Sequence, residues 1–285
     1  MADYTIQKMT LDDVKILLAW AASEGWNPGL DDAHSFYKAD QQGFFVLRQN
    51  EVPTAGISVV KHDEKQAFLG LYICRPEFRR SGYGWRLWQH AIQTAGQRTI
   101  ALDGVIEQQE NYRKSGFEFA WNNYRYLAEV ITAPWRVKHR RLTINEVSTK
   151  TISDLTELDV QVGGIERREF MTDWLTDSTN RASLFCESEG RLSGMGTIRK
   201  CIEGYKVGPL YADNADIADA LLRALCETTG TQNTLIDVPE NNEHAMRWIQ
   251  NFATSPIFAT ARMYKGKRPR ISTNQIYGIT TLELG

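Results

Sequence analysis

The segment RPEFRRSGYGWRLWQHAI, residues 75–92, constrains the fold of this chain more than any other. Before it stands FLGLYIC, residues 68–74, apolar and rich in aromatic and branched side chains, which reads as a strand. After it, Leu87, Ala91, Ile92 and Ala95 recur at helical spacing. The segment is therefore a strand end, a tight loop and a helix start, with Gly82 and Gly84 where backbone must approach something closely or take positive φ. A helix N-terminus offers free N–H groups and the positive end of the helix dipole, and Arg79 and Arg80 stand just ahead of it. Such a turn suits an anion, most simply a phosphate. Alone the pattern is short, and glycine at a strand-to-helix junction is often only a turn.

Around this loop the first half reads strand (residues 4–9), helix (11–22), the loop SEGWNPGLDD, a short helix (33–38), and strands at 43–48, 54–61 and 66–74. A strand at 99–102, a short helix before Gly116 and strands through 117–130 follow. That is α+β: a mostly antiparallel sheet with flanking helices. Ala133-Pro134-Trp135 breaks the pattern, and the basic run RVKHRR marks a solvated connection. A second cycle then begins: strand 142–147, helices from 153 and at 167–175, strands 182–187, 191–201 and 205–211, helix 217–227, strand 234–238, helix 243–250 and strands near 256–264. The order of elements repeats while the sequence barely does, so two domains of one fold are expected, at 1–133 and 142–285, with a linker at 134–141. In the remaining residues, QIYGITTLEL alternates enough to be a strand packed on one of the sheets.

Composition narrows the function. A net charge of −2 gives no case for a nucleic-acid partner. No uninterrupted apolar stretch could span a bilayer, and MADYTIQKMT lacks a signal-peptide core, so a cytoplasmic protein without membrane contact is expected. Cys74, Cys186, Cys201 and Cys226 show no metal-ligand spacing, so no metal site is expected; Cys74 and Cys186, in apolar strand-like runs, read as buried free thiols.

A second motif, ENYRKSGFEF at 110–119, places Tyr112 four residues before Gly116-Phe117 at a helix end. With the phosphate loop this resembles the Gcn5-related N-acetyltransferases. Their V-x-P-x-x-R-x-x-G-x-G corresponds to Cys74 through Gly84, with Cys74 at the usual valine, and their Y-x-x-x-G-F to Tyr112 through Phe117. The resemblance implies acetyl-coenzyme A as cosubstrate. It places the pyrophosphate on Arg80, Ser81, Gly82, Tyr83 and Gly84 with Arg79 alongside, and the pantetheine along Tyr72, Ile73 and Cys74, near Asn111 and Tyr112. It makes Tyr112 the acid that protonates the departing thiolate. An amine must be neutral to attack, and Asp103 and Glu107 are the candidate bases; Asp103 could equally cap a helix or its Gly104 turn.

The second half has no such loop: VGPLYADNADIADALL carries Asp213 and Asp216 where the first half has arginine, and no Y-x-x-x-G-F follows. The chain looks like the tandem acetyltransferases whose second, degenerate domain helps wall the acceptor pocket, and GWNPG, VGPLYAD, DVP and RMYKG are similar to that subgroup. One cosubstrate site is therefore expected, together with a small-molecule amine partner; a homodimer is left open. Trp26, Asn27, Asp31 and Asp32 stand in the loop that corresponds to the family's acceptor loop, and Tyr211, Asp237 and Arg262 are the second-half candidates for the same pocket. An apolar ring face, an amide and carboxylates suit an aminosugar, and the layout resembles the kasugamycin-type aminoglycoside 2′-N-acetyltransferases. A turn with Trp26 buried and Asp31 capping the next helix accounts for the loop equally well. A protein N-acetyltransferase needs an open groove, and a non-catalytic acetyl-coenzyme A sensor has no use for Tyr112.

Overall fold

The computed structural model of the protein describes residues 4–131 and 142–285. The expected linker, its basic run and the boundary at residue 133 lie outside the described residues. The first half runs β1 (Tyr4–Lys8), α1 (Leu11–Ser23), α2 (Asp32–Ala39), β2 (Phe44–Gln49), β3 (Val52–Lys61), β4 (Gln66–Cys74), α3 (Tyr83–Ala95), β5 (Thr99–Val105), α4 (Gln109–Lys114) and β6 (Glu118–Glu129). The second runs β7 (Leu142–Glu146), α5 (Ile152–Gly163), α6 (Arg168–Leu175), β8 (Arg181–Ser188), β9 (Arg191–Lys200), β10 (Tyr205–Ala212), α7 (Ala215–Thr229), β11 (Asn233–Pro239), α8 (Glu243–Ile249), β12 (Phe258–Lys265) and β13 (Ile276–Gly278). Local chemistry agrees with the elements it sets. Thr10 and Asp13 close a capping box on α1, whose Val14, Leu17, Leu18 and Ala21 form the buried face.

The strands join in one mixed, largely antiparallel sheet, in the order β1-β2-β3-β4-β5-β12-β6-β11-β10-β9-β8-β7, with β13 added beside β10. This order crosses between the halves. β12 of the second half lies between β5 and β6 of the first, with Arg262 opposite Asp103 on one side and Trp121 on the other. β6 in turn lies between β12 and β11, with Arg125 opposite both Phe258 and Asp237. Each half thus lends its sixth strand to the other, and neither sheet is complete without the exchange.

Helices cover both faces. α3 packs on the first half's strands through Leu87, Trp88 and Ala91, and α7 and α8 pack on the second half's through Leu221, Leu225 and Trp248. On the opposite face α1 and α2 share one core with α5 and α6, where Leu17 and Phe36 meet Phe170 and Trp174. Trp174 is fully buried and stacked 6.1 Å from Phe36, and burying such a ring contributes about 3 kcal/mol. The shared core and the exchanged strands weld the two repeats into one folding body.

Candidate active site

β4 and β5 run parallel and pair only from Gln66–Thr99 to Leu69–Leu102; beyond that they diverge. Two residues of β4, Leu71 and Tyr72, oppose the single Ile57 of β3, and Leu71 takes φ +48°, so a bulge bends the strand where it leaves its partner. A positive φ at a leucine is strained and is held by the pairing on either side. The opening between the strands is a cavity of about 400 Å³.

Of the loop anticipated from the sequence, Arg79 lines one end of the cavity, and Arg80 to Gly84 lie outside its lining. Tyr72, Ile73, Cys74, Arg79, Gln108 and Tyr112 line that end. Arg79 donates through Nε to the Cys74 carbonyl (2.9 Å) and pairs with Glu24. Gly82 takes φ +82° at the start of α3 and no side chain caps that helix, while the Gly84 backbone N–H lies against the Cys74 sulfur. Arg80, at φ +64°, and Ser81 are exposed beside them.

Tyr112 lies against Trp88, with ring centroids 5.4 Å apart, and burial pushes its hydroxyl up to about 12, so it stays protonated at neutral pH. Asn111 is exposed and bonds to Gln108 (2.7 Å). Glu107 is exposed and is not among the cavity-lining residues. Asp103 does line the cavity, but its side chain is fully buried and both oxygens are taken. Arg262 donates to them at 2.7 and 2.6 Å, and Asn123 at 2.8 Å. The expectation that Asp103 stands ready as a base, or caps a helix, is corrected by this pairing.

The other end is formed by Trp26, Leu71, Arg125, Phe258, Thr260, Leu282 and Glu283, so the second half contributes four of these seven residues. Of the expected acceptor residues, Trp26 is here. Asn27 instead clasps the backbone of Glu203, donating to its carbonyl (2.8 Å) and accepting from its N–H (2.9 Å). Asp31 accepts from Ser178 (2.6 Å) and Asn180 (2.9 Å); burial opposes its charge, but these bonds outweigh that and hold it below the ordinary carboxylate range. Asp32 is buried, accepting from the Gly29 N–H (2.7 Å) beside Arg199.

Tyr211 donates to Asp159 (3.1 Å) beside a separate, smaller cavity, which Arg262 also lines. Asn27, Asp31, Asp32, Tyr211 and Arg262 are thus engaged with other groups of the protein and, unlike Trp26, do not line this cavity. Asp237 reaches the site indirectly, by holding Arg125 with two bonds of 2.8 and 2.9 Å. Burial works to raise the Asp237 carboxyl, but Arg125 outweighs it and keeps it low.

The second half repeats the divergence and closes it. β10 and β11 pair only at Lys206–Leu235 and Val207–Ile236, and β13 then pairs with β10 at Leu210 and Tyr211. At the equivalent helix start, Asn214 accepts from the Ile217 N–H (3.1 Å), so a side chain occupies the cap that α3 leaves open. Asp213 pairs with Arg191 and accepts from Gln275. Among the described residues no group of three or more His, Cys, Asp or Glu could hold a metal, and no helix is long and apolar enough to cross a membrane.

Sequence reasoning missed Leu71, Arg125, Thr260 and Glu283. The last stood in view as a single carboxylate within the otherwise uncharged run TTLELG.

Residues 11–117 match the model of the acetyltransferase (GNAT) family, and residues 155–278 that of an acetyltransferase (GNAT) domain. The chain is 31% identical over 287 residues to holothin acyltransferase of Pseudoalteromonas sp. (strain SANK 73390), covering 99% of this chain and 95% of that one. YitH, an uncharacterized N-acetyltransferase of Bacillus subtilis (strain 168), is 26% identical over 219 residues, 76% of each chain. Among solved structures, a protein of Pyrococcus horikoshii provisionally named as an acetyltransferase superposes with a TM-score of 0.80 at 20% identity, over 99% of this chain and 96% of that one. A tandem GNAT protein from the clavulanic acid biosynthesis pathway gives 0.64 at 13% identity, over 93% and 100%. Both share the fold. With a GNAT model matching in each half and an acyltransferase aligned along nearly the whole length, the chain belongs to the GNAT acyltransferases, as a tandem of two such domains.

Proposed function

We propose that the first half binds acetyl-coenzyme A and that the chain transfers its acetyl group to the primary amine of a small molecule. The observation that carries this reading is the contrast between the two helix starts. That of α3 is uncapped and opens beside diverging strands, while that of α7 is capped by Asn214 and its divergence is filled by β13. The family uses acetyl-coenzyme A, and the residues fit it. N–H groups from Arg80 to Gly84 would hold the pyrophosphate with Arg79 beside them. Backbone groups of Tyr72 to Cys74, unpaired on the β5 side, would take the pantetheine as an added strand. A backbone N–H at the bulge would support the oxyanion. Tyr112, protonated and in the cavity wall, would give its proton to the thiolate.

The acceptor would enter from the Trp26 end. The aminosugar reading, with a kasugamycin-type aminoglycoside as its specific form, loses support because Asp31 and Asp32 are bonded within the protein. The relative named for holothin supports a small acceptor. A thiol-release assay with acetyl-coenzyme A against holothin, glucosamine, kasugamycin and lysine peptides tests the proposal. Release with a small amine is expected. Release with peptides alone would favour a protein N-acetyltransferase. Tight cosubstrate binding with no release would favour a sensor.

A further inference from the structure

At the acceptor end of the cavity, two polar side chains have atoms with no partner. Glu283 is 5% exposed and its Oε2 accepts no hydrogen bond; Thr260 is 2% exposed and its Oγ1 makes none. Both line the cavity. Buried polar groups are ordinarily satisfied, and leaving one open costs stability, so two on one wall mark a place where a ligand completes the bonding.

The other charged groups of this wall are already committed. Glu24 pairs with Arg79, Asp103 with Arg262, and Arg125 with Asp237. Around them stand Trp26, Leu69, Leu71, Leu102, Phe258 and Leu282. Glu283 and Thr260 thus stand on the cavity wall with these atoms buried and unpartnered beneath its surface, beside apolar side chains and with Arg125, Arg199 and Lys206 near enough to act on the Glu283 charge.

Glu283 is also placed firmly. The segment after β13 runs from the second half's divergence across to β4: Ile279 N–H donates to the Asp237 carbonyl (2.9 Å), and His62 Nε2 lies 2.8 Å from the Leu284 carbonyl. A Cβ on Gly70 would fall 2.1 Å from the Glu283 carbonyl oxygen, so the segment lies directly on the β4 backbone.

We infer that Glu283, with Thr260 beside it on the wall, is the acceptor-amine site and that Glu283 is the general base, so that the second half supplies a catalytic residue to the first half's cavity. This deepens the acyltransferase reading and rests on it. The acceptor class is a compact primary amine with one positive charge and an apolar body. A polycation would bring charges that no uncommitted group on this wall can meet.

In the reaction the ammonium gives one proton to Glu283, which passes it to solvent. The neutral nitrogen then bonds to the acetyl carbon as the carbon–sulfur bond breaks, and the sulfur takes the Tyr112 proton. The second nitrogen proton leaves the new amide and restores Tyr112 through water.

The test uses the full chain, wild type and Glu283→Gln, with benzylamine as the probe. Calorimetry measures acetyl-coenzyme A binding, and saturation-transfer NMR measures benzylammonium binding in its presence. Cosubstrate affinity is expected to stay within twofold, while benzylammonium affinity falls at least about tenfold in Glu283→Gln and partly returns in Glu283→Asp. In thiol release, kcat is expected to fall at least about tenfold in Glu283→Gln and partly return in Glu283→Asp. Equal amine binding by both proteins, or none by a wild type that binds acetyl-coenzyme A, overturns the assignment. If the wild type does not bind acetyl-coenzyme A, the acyltransferase reading of the cavity falls, and the amine measurement alone decides for or against Glu283.

Discussion

Asp103 on β5 and Arg262 on β12 stand directly opposite in the sheet and are joined by two hydrogen bonds of 2.7 and 2.6 Å, one half of the chain gripping the other. Both side chains are buried, so removing one leaves an uncompensated charge in a place without water. Asp103→Asn is expected to lower unfolding free energy by about 3 kcal/mol in urea titration. Replacing both residues by leucine should recover much of that loss, because it removes the stranded charge along with the pair. A single variant as stable as wild type would show that the pair contributes nothing to the junction.

Gly82 begins α3 with φ +82° and with open space where a side chain would go. Gly82→Asp should therefore fold, at a strain cost of about 1 kcal/mol. It should also weaken acetyl-coenzyme A by at least about a hundredfold, since it puts a negative charge at the helix start proposed to hold the pyrophosphate. Calorimetry on wild type, Gly82→Asp and Gly82→Ala separates charge from strain. Equal weakening in both variants would point to the backbone.

Tyr112→Phe keeps the ring that stacks on Trp88 and removes only the hydroxyl. Turnover is expected to fall about a hundredfold or more with KM for acetyl-coenzyme A nearly unchanged, as for a group that matters when thiolate charge develops. Because burial holds the hydroxyl at about 12, the wild-type rate should show no fall from its ionisation below pH 10. A basic limb near pH 9 that vanishes in the variant would contradict this.

His62 ties the stretch after β13 to the first half through the Leu284 carbonyl, and enclosure pulls its ring down to about 4, with Arg167 adding to the effect. A histidine takes its proton near 6.5 when unfolded, so between those values the unfolded chain binds the proton and the folded one does not. The stabilisation is whole above pH 6.5 and is lost as pH falls toward 4. The ring is only half-buried and keeps some hydration, which trims the loss to about 2 kcal/mol. Urea midpoints measured from pH 7.5 to 4.5 should fall less steeply in His62→Gln than in wild type. Identical slopes would remove His62 as a cause.

The strand, loop and helix start that form one side of the candidate site could be read from residues 68–92 because they are local, and local chemistry is written in consecutive side chains. The difference between the two helix starts was legible for the same reason, in Asp213 and the absence of a glycine pair, although the capping by Asn214 and the filling by β13 were not. The strand exchange left no trace: β6 and β12 look like ordinary strands, and what decides their neighbours is packing far away in sequence. Asp31 and Asp32 misled because a carboxylate in a loop serves a protein partner as readily as a ligand. Glu283 escaped notice because its meaning depends on β4 lying underneath it, a contact between residues more than two hundred positions apart.

The exchange of β6 and β12 also sets an order of events in the making of the molecule. On a ribosome the first half emerges with the loop before α3 already made, yet β5 and β6 have no β12 to lie between them, and Gly70 has nothing resting on it. Until residues 258–283 have been synthesised, the nascent chain exposes two strand edges that in the finished protein are internal. Closure of the cavity is thereby deferred until the far end of the second repeat has been translated, and a ribosome that stalls before that point releases a chain without the wall of Phe258, Thr260, Leu282 and Glu283.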